Sequence, residues 1–148
     1  ERLRILDVGC GLGLVSLAGL AGGHDMIASD YDEAALAFVE ENARRNGLPV
    51  PETRFVDWRA EYPDLQVDRI VAAEVLYEDR NLEPIARFIA THVGEGEAWI
   101  CDRNRSTADR FPDVAARHGL QVTSEPCEAV VEGERVAGRF FRIWANNT

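Results

Sequence analysis

Short apolar runs alternate with stretches of helical spacing along almost the whole chain. Residues 3–8 are apolar apart from Arg4 and Asp7, which predicts a buried strand. Residues 14–21 have helix-forming content and stop at Gly22-Gly23, a natural helix end. Residues 26–29 predict a second strand ending at Asp30. Asp32 is placed to cap the next helix, with Glu33 in its first turn. Leu36, Val39 and Ala43 recur at three- and four-residue spacing and give that helix one buried face. Glu40 with Arg44 and Glu41 with Arg45 form i,i+4 pairs on its other side, and Gly47 ends it. Further strands are expected at 53–56, just before Asp57-Trp58, at 67–73 and at 98–101. Between the last two, a helix capped by Asn81 runs to Val93, buries Ile85, Phe88 and Ile89, and stops at Gly94. A weaker helical region starts at Ser106 and Asp109, contains Pro112 and ends at Gly119. Residues 120–123 and 140–145 read as the final strands. Residues 129–131 extend or follow the first of these, and Gly133 and Gly138 mark turns between them.

Strand–helix alternation from the first residues predicts parallel strands joined by right-handed crossovers, hence a doubly wound α/β sheet. Too little chain separates the last two strands for a covering helix, so they are expected to be antiparallel. A length of 148 residues suits one domain over 1–148. The formal net charge of -10 offers no general attraction to nucleic-acid phosphates. No apolar run is long enough to cross a bilayer. Cys10, Cys101 and Cys127 are widely spaced and odd in number, which suggests neither a disulfide scaffold nor a metal knuckle and points to the reducing cytoplasm. His24, His92 and His118 lie near helix ends or strand starts, where hydration or helix-end electrostatics accounts for them, and no metal is expected. The chain opens at Glu1 and enters a strand almost at once, so a preceding N-terminal segment is expected to be missing.

The most informative segment is Asp7-Val8-Gly9-Cys10-Gly11-Leu12-Gly13. Glycines directly after a strand let the backbone turn sharply and let a ligand lie against bare chain. The nicotinamide fingerprint fails here, because Leu14 stands at its sixth position counted from Gly9 and Ser16 counted from Gly11. A triphosphate-clamping loop fails too, since the loop has no lysine. A cofactor without phosphate, S-adenosylmethionine (SAM), needs close backbone approach without an anion cradle. Asp7 would lie near its sulfonium and amino-acid end. Asp30, nineteen residues after Gly11, can accept both hydroxyls of an adenosine ribose. Tyr31 either covers part of the nucleoside or is an exposed aromatic at a strand end. Asp57 could accept the adenine amino group, while Trp58 either lies against the ring face or packs into the core. All these positions follow strand ends, so one ligand stretched across the sheet would explain them together.

The glycine segment with Asp30 downstream resembles the seven-strand class I SAM-dependent methyltransferases over nearly the whole chain. That resemblance implies a Rossmann-like sheet of order 3-2-1-4-5-7-6 with strand 7 antiparallel. It also implies that Gly9, Cys10, Gly11 and Gly13 line the SAM loop, Asp30 holds the ribose and Asp57 meets the adenine, with S-adenosylhomocysteine (SAH) as product. Asp57-Trp58 and Glu74-Val75-Leu76-Tyr77 look like the protein-lysine methyltransferases that modify chaperones and the electron-transfer flavoprotein β subunit. By that likeness Glu74 lies beside the cofactor and orients the target amine, and Tyr77 supplies a hydroxyl or an aromatic wall. The acceptor expected is a protein lysine. The alternatives are a small-molecule acceptor, or a SAM-binding module inactive without its N-terminal cover.

Overall fold

The computed structural model describes residues 1–146. Its strands are β1 (Arg4–Val8), β2 (Asp25–Asp30), β3 (Glu52–Phe55), β4 (Arg69–Ala73), β5 (Glu97–Asp102), β6 (Leu120–Val131) and β7 (Glu134–Ala145). They form one sheet in the order β3-β2-β1-β4-β5-β7-β6. The first five pair in parallel, and β7 runs antiparallel to both β5 and β6. The doubly wound sheet expected from the sequence is therefore present, with its antiparallel last strand.

Helices α1 (Leu14–Ala21) and α2 (Glu33–Arg45) connect strands that step one way across the sheet, and α3 (Asp79–His92) connects strands that step the other way. Right-handed crossovers put helices of opposite step on opposite faces. A short 3-10 turn (Ser106–Arg110) leads into α4 (Phe111–Ala116), which packs on the α3 side. The direction of winding reverses between β1 and β4, which opens a crevice at the carboxyl ends of those strands. The core lies between sheet and helices, with Leu6, Ile27, Leu76, Ile100, Phe111, Phe141 and Ile143 at most 1% exposed.

Local chemistry sets most helix limits. The Asp32 carboxylate accepts the Ala34 N–H at 2.9 Å and caps α2, and Val39 and Ala43 on its inner face are fully buried. Glu41–Arg45 and Glu40–Arg44 pair at 2.9 and 3.6 Å on the outer face. Two local expectations change. Asn81 does not cap α3, because the helix starts two residues earlier behind Glu78, which makes no side-chain capping bond. Gly138 marks no turn. It lies inside β7 opposite Cys127, where a Cβ would come 2.7 Å from the Asp102 carbonyl oxygen, so close strand approach explains the glycine. The turn is at Glu132-Gly133 alone, and residues 129–131 extend β6 into a hairpin of two twelve-residue strands.

Candidate functional site

The glycine loop leaves β1 at the reversal point of the sheet. The Cys10 N–H donates to the Ser29 carbonyl at 2.9 Å, which ties the loop to the end of β2. Gly13 (φ 91°) would place a Cβ 2.7 Å from a methyl of the fully buried Val39, so this glycine lets the loop seat on α2. Gly11 (φ 54°) differs: a Cβ there would meet nothing within 4 Å, and its backbone faces open space. A Cβ on Gly9 would touch the Trp58 ring and a Val75 methyl, each at 3.4 Å. The half-buried Cys10 thiol sits 3.8 Å from the Gly11 carbonyl, and burial pushes it up to about 12, so it stays protonated.

Asp30 joins the loop to the next helix. One carboxylate oxygen accepts the Gly11 N–H at 3.0 Å and the other accepts the Asp32 N–H at 3.0 Å. A carboxylate offers about four acceptor positions. Each oxygen of Asp30 thus keeps one for a ligand hydroxyl. Tyr31, Asp57 and Trp58 line a cavity of about 240 Å3 together with Arg59, Arg80 and Asn81. Trp58 serves on both sides, packing its apolar surface on the core while lining this cavity. Asp57 is held by its neighbour: it accepts the Arg59 backbone N–H at 2.9 Å and the guanidinium at 3.1 and 3.2 Å. Those bonds keep its carboxyl below the usual carboxylate range.

Asp7 lies beneath the loop, 2% exposed, and accepts the Ser16 hydroxyl at 2.7 Å. Burial raises its carboxyl from the ordinary 3.8 to about 6, against the opposing Ser16 bonds. The folded state therefore holds this proton more tightly than the unfolded chain. The stability gained is complete below about pH 4 and is lost as pH rises through about 6. Asp7→Asn keeps an acceptor for Ser16 without the charge. Its melting temperature should exceed the parent's at about pH 7.5, by the equivalent of roughly 2–3 kcal/mol, and the gap should close towards about pH 4. Thermal melts at several pH values check this.

Across the reversal point stand the residues after β4. Glu74 has a left-handed backbone (φ 58°), uncommon for a residue with a side chain, and its N–H is held by the Cys101 carbonyl at 2.9 Å. Its carboxylate pairs with the Arg105 guanidinium at 3.2 Å, and that same guanidinium lies 5.8 Å over the Tyr77 ring. Glu74 also lines a second cavity, of about 610 Å3, between the ends of β4 and β5 and the β6–β7 hairpin.

The structure thus brings Gly9, Gly11, Asp30, Tyr31, Asp57 and Trp58 to one edge of the sheet, with Glu74 and Tyr77 on the far side of the loop. The sequence reading missed Arg59 and Arg105, which hold two of the predicted carboxylates. His92 does end α3, as expected, but hydration does not account for it. The ring is 8% exposed, accepts the Tyr62 N–H at Nε2 (3.0 Å) and therefore donates from Nδ1 to the Phe88 carbonyl (2.9 Å).

Comparison with known proteins identifies the family and the fold. The family profile "Ribosomal protein L11 methyltransferase (PrmA)" matches residues 1–98. A ribosomal protein L11 methyltransferase from Pseudomonas putida is 32% identical over 141 residues, covering 94% of this chain and 46% of that protein. The chain spans less than half the length of the curated relatives it matches. Among solved structures, the ribosomal protein L11 methylase of Lactobacillus delbrueckii subsp. bulgaricus superposes with a TM-score of 0.77 at 19% identity, over 99% of this chain and 72% of that one. A SAM-dependent methyltransferase from Methanosarcina mazei superposes with a TM-score of 0.80 at 15% identity, over 98% and 93%. The fold is that of the seven-strand class I methyltransferases, as the glycine segment with Asp30 led us to expect, and the chain belongs to the ribosomal protein L11 methyltransferase family.

Proposed function

We propose that this chain binds SAM across the carboxyl ends of β1, β2 and β3 and is the methyl-transfer core of an enzyme acting on a protein amine. The observation that carries this reading is the joint placement of the open Gly11 backbone, the two spare acceptor positions of Asp30 and the cavity beside Trp58 along one edge. The residues fit the cofactor. Bare backbone at Gly9 and Gly11 suits its amino-acid end and ribose, Asp30 suits a ribose diol, and Trp58 with Asp57 suits an adenine face and amino group.

Bound SAM supplies a methyl group made electrophilic by a positively charged sulfur. The chain's own part is alignment and electrostatics. Glu74 holds cationic groups at the end of β4, as its pairing with Arg105 illustrates, and would orient an incoming amine while it sheds its proton to water. Tyr77 adds an aromatic wall that favours a cation alongside it. With a ribosomal protein as acceptor, the enzyme works in the cytoplasm.

Transfer of radiolabelled methyl from SAM into purified ribosomal protein L11, and into protein and small-molecule fractions of a cell extract, tests the reading. This chain contains no lysine, so methyl-lysine in the digest belongs to an acceptor. Label on lysine in the protein fraction is the expected result. Label confined to small molecules would overturn the protein acceptor, and no transfer at all would overturn the activity.

A further inference from the structure

We propose that the β6–β7 hairpin builds the acceptor site: a groove for an extended peptide whose lysine side chain runs along the hairpin and ends at Glu74. The proposal rests on the methyl-transfer reading above.

Strand β5 pairs with β7 only through Arg139–Trp144, whereas β6 pairs with the whole of β7. Because β5 ends at Asp102 opposite Arg139, the rest of the hairpin projects beyond the sheet, at the same edge as the glycine loop. The cavity of about 610 Å3 lies between this projection and the ends of β4 and β5. Cross-strand partners share a face of a sheet. The pairs Cys127–Gly138 and Ala129–Val136 therefore present one wall, continued by Phe140. That wall is apolar apart from Glu125, which stands opposite Phe140.

Carboxylates outnumber cations among the residues that line it. Glu74, Asp102, Glu125 and Glu128 line the cavity against Arg103; Glu74, Asp102 and Glu128 are paired with Arg105, Arg139 and Arg135, and among the described residues Glu125 has no such partner. An apolar wall with carboxylates about it suits a long aliphatic stem that carries an ammonium group. The chain already seats a cation at the Glu74 end. Arg105 lies between the Glu74 carboxylate (3.2 Å) and the Tyr77 ring (5.8 Å). The backbone of Arg105 is fastened independently, its N–H by Asp102 at 2.8 Å and its carbonyl by Arg139 at 2.7 Å. Its side chain can thus swing out without moving the loop. An acceptor ammonium takes the place of that guanidinium.

The backbone supports an extended partner as well. Among the described residues no strand pairs with 134–138 on the β5 side, so this stretch of β7 offers a free edge next to the cavity. Gly138 shapes the floor. A Cβ there would come 2.7 Å from the Asp102 carbonyl and 3.4 Å from the Cys127 sulfur, and the Cys127 and Cys101 sulfurs meet across it at 3.9 Å.

The test uses Nα-acetyl-lysine methylamide as probe, titrated into the SAH-saturated chain and followed by amide NMR. Shifts should concentrate at Glu74, Cys127, Ala129 and Gly138, and the norleucine analogue, which lacks the ammonium, should bind about tenfold more weakly. Ala129 is exposed on the cavity wall, away from the glycine loop. Ala129→Arg should weaken lysine-amide binding by about tenfold while SAH affinity stays within roughly twofold. Arg105→Ala should strengthen it by about threefold or more, because a competing cation is gone. Shifts centred elsewhere, or a norleucine analogue that binds as well as lysine, would overturn the proposal even if Ala129→Arg did not fold. Failure of SAH to bind would instead sink the reading beneath it.

Discussion

Asp30→Ala is expected to weaken SAH binding by about 100-fold or more, measured by calorimetry. Two losses combine. Hydrogen bonds from ligand hydroxyls to a charged acceptor contribute about 1.5–3 kcal/mol each, and Asp30 has one free position on each oxygen. The same carboxylate fastens Gly11 and the start of α2, so its removal also loosens the surface the ligand lies on. Asp30→Asn separates the two effects. An amide keeps one acceptor oxygen and turns the other position into a donor that faces a backbone N–H, so an intermediate loss is expected. An Asp30→Ala protein that binds SAH within about threefold of the parent would show that the ribose does not lie there.

Gly13→Ala should be the most damaging single methyl in the loop, lowering stability by roughly 2–4 kcal/mol and the melting temperature by about 10 °C. The added Cβ would lie 2.7 and 2.9 Å from the two methyls of Val39, a stiff, fully buried side chain, and the backbone at φ 91° is unfavourable for alanine. Gly11→Ala should behave in the opposite way. Its Cβ would meet no atom within 4 Å, so only the left-handed backbone costs stability, about 1 kcal/mol. The methyl would stand instead where the ligand approaches, and SAH affinity should fall by about tenfold or more. The melting temperature should therefore fall most for Gly13→Ala and the SAH affinity most for Gly11→Ala. A Gly13→Ala protein as stable as its parent would contradict the seating of the loop on α2.

These contrasts also show which parts of the molecule are legible in the chain. The glycine loop, the Asp32 cap and the buried face of α2 can be read because each is written within a few residues. Asp30 is legible for a similar reason, since it ends an apolar run at a fixed distance from the loop. Asp57–Arg59 is local too, yet nothing in the spelling shows that a guanidinium folds back onto its neighbour's carboxylate. The pairing of Glu74 with Arg105 joins residues 31 apart and depends on where β5 ends against β4. The place of Gly138 inside β7 depends on register, because a glycine in a turn and a glycine under close strand approach look alike in sequence. His92 gave no signal, since its two ring bonds are made to backbone groups. The strand ends that carry the glycine loop, Asp30 and Asp57 could be placed from the sequence. The surroundings of Glu74, built from contacts between distant segments, needed the fold.

A crystal structure of the chain with SAH tests the central claim most directly. The account predicts the ribose hydroxyls in hydrogen-bond contact with Asp30, the nucleoside passing over Gly11, and the adenine beside Asp57 and Trp58. A nucleoside bound away from Asp30, or crystals that take up no SAH at saturating concentration, would contradict it.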